Sequence, residues 1–239
     1  NGSSLASAFS ALVVARAWRA LEAMETACAV TFEAVRANTD CLSDQALASR
    51  GHPEAPRVGQ RLMGFFQGSN LVGSDRTADA FSIRCAPAVL GAAWEAIHSI
   101  HTVVSRELNG ACDNPLVLED GSVKEVGNFH GAPVALAMDQ LKIALTQVAS
   151  ISERRIFRLT HGDLSGLPSF LVEGTGLNNG LMLAQYTAAS LVSECKGLSH
   201  PASVDSLPIV QNMEDHVSMG PIAARGAYRI VKILEDVAA

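Results

Sequence analysis

The sequence predicts an all-α protein, a single bundle of long helices joined by irregular loops. Three observations carry that reading. Apolar residues recur at helical spacing over several long segments, the longest covering residues 5–37. Aromatic residues make up only 5% of a chain dominated by Ala, Leu, Val and Ser, where a β-sandwich would need more β-branched and aromatic side chains. Only one stretch, around Asp120-Gly121, has hairpin chemistry. With 239 residues, 48% hydrophobic and 18% charged, the chain can bury a sizeable core without disulfide or metal staples.

The elements follow in order. Asn1–Ser4 is a turn and N-cap signal. Leu5, Phe9, Leu12, Val13, Ala17, Leu21 and Met24 then mark one amphipathic helix, closed by Asn38-Thr39-Asp40. Residues 41–75 are less regular, with Gly51-His52-Pro53 and Pro56 as punctuation and a short helix expected over Val58–Gln67. Asp75–Pro87 reads as a loop with a polar side. Val89, Ala93, Ala96, Ile97, Ile100 and Val104 give a helix from Ala88 to about Leu108, stopped by Asn109-Gly110. Leu116–Leu118 and Val123–Val126 flank the hairpin turn. Pro133 suits the first turn of a helix over about Ala132–Leu159, with a stripe of Leu136, Met138, Leu141, Leu145, Val148, Ile151 and Ile156. Loops at His161–Pro168 and Glu173–Asn179 precede a helix at Leu181–Leu198, and a last helix is expected over His216–Val237. No repeat and no long linker divides the chain, so residues 1–239 are read as one domain.

Composition narrows the function classes. A formal charge of −6 and the lack of any basic cluster give no electrostatic case for nucleic acid. The five cysteines (Cys28, Cys41, Cys85, Cys112, Cys195) are scattered, with no CxxC pair, and read as reduced thiols of a cytoplasmic protein. Apolar stretches are broken before the length of a membrane span, and no signal-peptide pattern occurs. The chain opens Asn1-Gly2-Ser3-Ser4 without an initiator Met, so an upstream piece is expected to have been removed or to lie on another chain.

Among residues able to do chemistry, His98 and His101 sit three apart on one helix face, but no third ligand accompanies them, so no metal is expected. His200, Asp205 and Ser206 have the residue types of a triad without a nucleophile elbow. Glu153-Arg154-Arg155 reads as a solvated or inter-subunit face. Arg84, in the apolar-flanked Phe81-Ser82-Ile83-Arg84-Cys85, needs an anionic partner, either an internal Asp or a substrate carboxylate. Residues Glu194–Gly220 pack Glu194, Asp205, Glu214, Asp215, His200, His216 and a candidate buried lysine, Lys196, into one loop-rich stretch. Glu194 near one helix end and Phe129 before another are candidates to face a common pocket, where a partly apolar setting would raise the carboxyl pKa towards neutrality.

Taken together, the motifs FSIRCAP, CDNPLV, GNFHGAPVALAMD, ISERRI, SECKGLSHPASVDSLP and NMEDHVSM resemble those of the aromatic amino-acid ammonia-lyases, in order and across residues 80–225. Histidine ammonia-lyases are the most similar branch. The resemblance implies near-parallel long helices assembled as a tetramer, with each active site built from several subunits. It implies elimination of ammonia from an amino acid, or in sister enzymes a 2,3-amino shift. The electrophile would be a methylidene-imidazolone cyclised from an internal Ala-Ser-Gly. Carried over by position, Asn1 would hold the substrate, Arg84 its carboxylate and Phe129 the pocket wall. Glu194 would contact the side chain or manage protons, and Phe81 and Met213 would fall within the site.

The sequence also departs from that family. It contains no Ala-Ser-Gly, and Leu164-Ser165-Gly166 is the nearest string. Phe81 stands where the family has a tyrosine, while Ala78 and Met213 stand where it has glutamines. Relative to the family, the N-terminal electrophile-bearing part and the C-terminal helices are missing. Two readings compete. In the preferred one, the chain works within an oligomer whose complementary N-terminal chain supplies the electrophile, as an ammonia-lyase or an aminomutase. In the other, it is a catalytically inactive, lyase-like binding or structural subunit, since buried polar groups without a role are costly to keep.

Overall fold

The computed structural model describes residues 3–74 and 76–239. Its helices are α1 (Ser4–Ala34), α2 (Asp44–Ala48), α3 (Glu54–Phe65), α4 (Phe81–Arg84), α5 (Ala86–Asn109), α6 (Ala132–Thr160), α7 (Gly162–Ser165), α8 (Met182–Leu198) and α9 (Gly220–Ala238). A two-residue-per-strand antiparallel hairpin, β1 (Leu116–Val117) and β2 (Val123–Lys124), pairs Leu116 with Lys124. It is shorter than the sequence suggests. The last helix starts four residues later than expected, at the turn that Pro221 favours.

Helix α6 is the axis of the bundle, with α1, α5, α8 and α9 packed around it. By length and a mean hydropathy of 1.2 it would suffice to cross a membrane, yet here its buried positions meet other helices. Close approach is set by small residues. A Cβ on Gly226 of α9 would lie 3.0 Å from the Lys142 side chain of α6, and one on Gly91 of α5 would lie 2.8 Å from the Ala55 backbone of α3. Direction follows from cross-links at known heights. Gly131, which caps α6, lies against Ser3 of α1 and Ser218 just before α9, so these three helices start at one end. Ser3 donates to Glu107 near the end of α5; Lys142, about 15 Å along α6, reaches the His200 carbonyl just past α8, while Gln185 near the start of α8 reaches Glu153 further along α6. Helices α5 and α8 therefore run the opposite way.

Several expected core faces are rotated. Ala6, Val13, Val14, Ala17, Ala20, Leu21, Met24 and Cys28 form the buried stripe of α1, whereas Leu5 and Leu12 are 75% and 69% exposed. Leu136 of α6 is likewise exposed. In an Ala-rich helix several apolar stripes coexist, and the one against the neighbours is chosen by packing. Lys196 is exposed on α8, and the buried lysine is Lys142. It pairs with Asp139 at 2.7 Å, whose two oxygens also accept the Ala202 and Ser203 N–H groups at 3.1 and 2.8 Å. Burial pushes the Asp139 carboxyl up, but Lys142 and the Ser203 and Ala202 donors more than reverse this, leaving it below the ordinary range. That cluster fixes the loop after α8 to the central helix.

Candidate active site

The best-formed constellation lies where α1, α6 and α9 begin. Ser3, Ser4, Leu5, Ala6, Phe129, Gly131, Ser218 and Pro221 line a cavity of about 440 Å³. None of the three helices carries an acidic residue in its first turn, and none has a side-chain N-cap bond. Their positive dipole ends therefore meet in one place, which favours anionic or electron-withdrawing groups; Glu107 already accepts from Ser3 at the start of α1, and Ser218 Oγ accepts the first N–H of α9. Gly131 makes a close approach here, since a Cβ would come within 3.2 Å of the Ser218 hydroxyl.

The two loops that close this end carry the GNFHG and EDHVS stretches. His130 Nε2 and His216 Nδ1 lie 3.1 Å apart, with the ring centres at 5.2 Å and the ring planes 27° apart. Asn128 donates to the Ala111 carbonyl at 3.2 Å, and Val217 N–H donates to Ser206 Oγ at 2.9 Å. Phe129 is held between these anchors and stays 44% exposed. Cys112 also reaches this end. Hydrogen bonds from the Ser3 and Ser4 side chains and the Ser3 backbone hold its thiol below the usual range.

Met213 projects from the same loop, 83% exposed. It follows Val210, Gln211 and Asn212, which all have positive φ (49°, 53° and 66°), and Met219 has a φ of 57°. Side chains other than Gly or Asn adopt this region only under strain, and such strain concentrates at functional loops. Nothing in the residue types of Val210 or Gln211 signals it.

The other expected site residues lie elsewhere. Glu194 makes a two-point pair with Arg229, at 2.6 and 3.1 Å. Arg229 is about 14 Å along α9 from its start, at 1.5 Å per residue. Within one chain Glu194 and Phe129 thus do not share a pocket. Nor is the Glu194 carboxyl raised: the Arg229 hydrogen bonds lower its pKa. The apolar-pocket expectation failed because the needed cation sits 35 positions away in sequence, on a different helix. Phe81 and Arg84 lie at the far end, since the Arg155 guanidinium of α6 donates to the Ser82 carbonyl at 3.2 Å. Arg155 is about 35 Å along α6 from Ala132. Arg84 is exposed, its guanidinium 4.8 Å from the centre of the 69% exposed Phe81 ring, and it makes no ion pair among the described residues. Asn1 lies outside the described residues.

Other candidates resolve as structure. His98 and His101 pack edge-on against Trp18, and His98 lies 3.4 Å from Glu54. Ser206 Oγ is occupied as an acceptor and His200 sits 3.8 Å from Asp205, so no nucleophile is poised. In Glu153-Arg154-Arg155, expected at a face, Glu153 and Arg155 are buried and only Arg154 is outside. Sequence reading missed Ser3, Ser218 and the histidine pair. Their motifs were visible, but which loops meet is a tertiary fact.

Comparison with known proteins agrees with this geometry. The family profile "Aromatic amino acid lyase" matches residues 1–239. The chain is 48% identical over 243 residues to the histidine ammonia-lyase of Caldanaerobacter subterraneus subsp. tengcongensis, covering all of this chain and 48% of that protein. It is 48% identical over 236 residues to that of Geobacillus kaustophilus, covering 97% and 47%. Among solved structures, histidine ammonia-lyase from Trypanosoma cruzi superposes with a TM-score of 0.92 at 42% identity, over 100% of this chain and 46% of that one. Pantoea agglomerans phenylalanine aminomutase gives 0.94 at 30%, over 100% and 51%. The chain spans about half the length of these relatives. Matched along its whole length, with the motif-bearing loops gathered at helix ends, the chain belongs to the aromatic amino acid lyase family.

Proposed function

We propose that the chain forms part of a carbon–nitrogen lyase that removes ammonia from an L-amino acid to give the α,β-unsaturated acid. The observation that carries this is the meeting of three helix N-termini, none with an acidic residue in its own first turn, around Phe129. The cavity's serine, glycine and backbone donor set fits a small electron-poor ring such as a methylidene-imidazolone, which the chain does not encode and another segment would supply. When bound, that group provides the electrophile for the substrate nitrogen. The chain's own residues do the rest. The fixed positive ends stabilise negative charge that develops near them. Arg84 receives the substrate carboxylate through its planar fork, which orients the bond between Cα and Cβ for loss of ammonium and of the Cβ proton. Glu194, kept ionised by Arg229, acts as an acceptor for a substrate N–H rather than as an acid.

Arg84 and Phe129 lie at opposite ends of one chain, so each site draws them from different copies in an oligomer. The relatives named histidine ammonia-lyase favour a side chain with an N–H, such as imidazole. A second reading, an aminomutase, is supported by the Pantoea agglomerans phenylalanine aminomutase superposition. The test is product analysis of the full-length assembled protein offered L-histidine, L-phenylalanine and L-tyrosine. An unsaturated acid with free ammonia supports the lyase, and a β-amino acid the aminomutase. Neither product, with no near-ultraviolet band of a dehydrated prosthetic group, would leave the inactive, binding-subunit reading.

A further inference from the structure

We propose that His130 and His216 act as a positioning clamp, setting where Phe129 stands in the pocket and so the affinity for substrate. Phe129 lies in a short segment between the hairpin and α6, where the His130 N–H closes a turn onto the Gly127 carbonyl at 3.0 Å. The opposing segment runs from Glu214 to Ser218 and leads into α9. Among the described residues, the only hydrogen bond between these two segments is the one between the imidazoles, 3.1 Å from His130 Nε2 to His216 Nδ1. One position after His130 and two after His216, Gly131 and Ser218 come so close that a Cβ on the glycine would sit 3.2 Å from the hydroxyl. His130 thus lies one residue from the pocket wall and one from Gly131, and His216 two residues from Ser218. One ring nitrogen donates and the other accepts, and because both lie in their ring planes the bond sets the two rings edge to edge, with planes 27° apart.

An exposed hydrogen bond of this kind adds little to global stability, because water competes for both partners. Its effect is local. It removes the freedom of two loops that otherwise touch through small residues, and holds an aromatic wall that is still 44% exposed. This inference deepens the lyase reading and rests on it for its consequence, though not for its geometry.

The experiment uses side chains that reproduce each ring nitrogen. Gln places its amide at about the reach of Nε2, and Asn places its amide at about that of Nδ1. In the full-length assembled protein, His130→Ala and His216→Ala are compared with His130→Gln and His216→Asn, and with the double alanine variant. The alanine variants are expected to raise KM about tenfold with kcat nearly unchanged. The Gln and Asn variants should restore most of that loss. The double variant should be no worse than either single one, as for two members of one interaction. Additive losses, or no rescue by the amides, would overturn the clamp. Amide hydrogen exchange over residues 127–131 and 214–220 separates this from the lyase reading, since it needs no turnover. Faster exchange of both segments in each alanine variant supports the clamp even in a protein without lyase activity. Unchanged exchange overturns it even in an active one.

Discussion

The two ends of the bundle differ in kind. At the end where α6 begins, the chain closes on itself: three helix starts, paired loops, hydrogen-bonded imidazoles and a cavity of about 440 Å³. At the other end it stays open. A cavity of about 870 Å³ separates the ends of α1, α6 and α9 from the start of α8, walled by Val30, Ile156, Leu159, Leu181 and Leu191. Arg155 is buried there with Nε and Nη2 lacking any partner among the described residues. Arg16, Arg61, Arg154 and Arg229 each use that same edge to hold a carboxylate. A buried guanidinium with its fork unfilled is costly. The contrast teaches that one end of this chain is tied together by its own loops, while the other leaves an apolar cavity and the edge of a buried guanidinium unfilled among the described residues.

The strongest way to break that comparison is complementation. Arg84→Ala and Phe129→Ala should each abolish turnover, because one removes the carboxylate fork and the other the pocket wall. Co-assembled in equal amounts, the two inactive variants should recover activity in about a quarter of sites, since random mixing leaves that share with both residues intact. Sites confined to one chain would recover nothing. The measurement is ammonia release by co-expressed, doubly tagged protein.

Much of the closed end was legible in the sequence. Helices α1, α5, α6, α8 and α9 followed from apolar period, Pro133 and the Asn/Gly stops, and the motif resemblance picked out Phe129. What could not be read is which loop faces which. Arg229 is an ordinary helix residue in sequence, yet its hydrogen bonds are what lower the Glu194 pKa. Lys196 and Lys142 both lie on apolar helices, and only packing against Gly226 shows which one is buried. Periodicity reports that a stripe exists, not which of several Ala-rich stripes wins, which is why Leu5, Leu12 and Leu136 were misplaced.

The comparison is sharpened by loosening the loop after α8 alone. Lys142→Met keeps the stem of a side chain only 2% exposed but removes the charge opposite Asp139 and the donor to His200. Stripping one partner from a buried pair costs about 3 kcal/mol. Chemical denaturation should show a loss of that order. Hydrogen exchange should show the release concentrated in residues 199–205, with α4 and the open end unaffected. A uniform loosening would mean the two ends are not mechanically separate.

The smallest effect expected lies between the two ends, at Glu194. Its folded pKa is depressed by the Arg229 hydrogen bonds, so the sign runs one way. Above the unfolded carboxylate value of about 4.3 the pair contributes its full stabilisation, and this is lost as pH falls through the lower folded value. Glu194→Gln should therefore lower stability slightly at neutral pH, and the difference from wild type should vanish on acidification. The effect is modest because both partners are well exposed, with side chains 40% and 50% accessible. Thermal unfolding at a series of pH values below neutrality reads it directly. A difference that grew towards acid pH would mean that Glu194 is protonated in the folded protein. It would then be free to act as a proton donor, and the acceptor role assigned to it would fall.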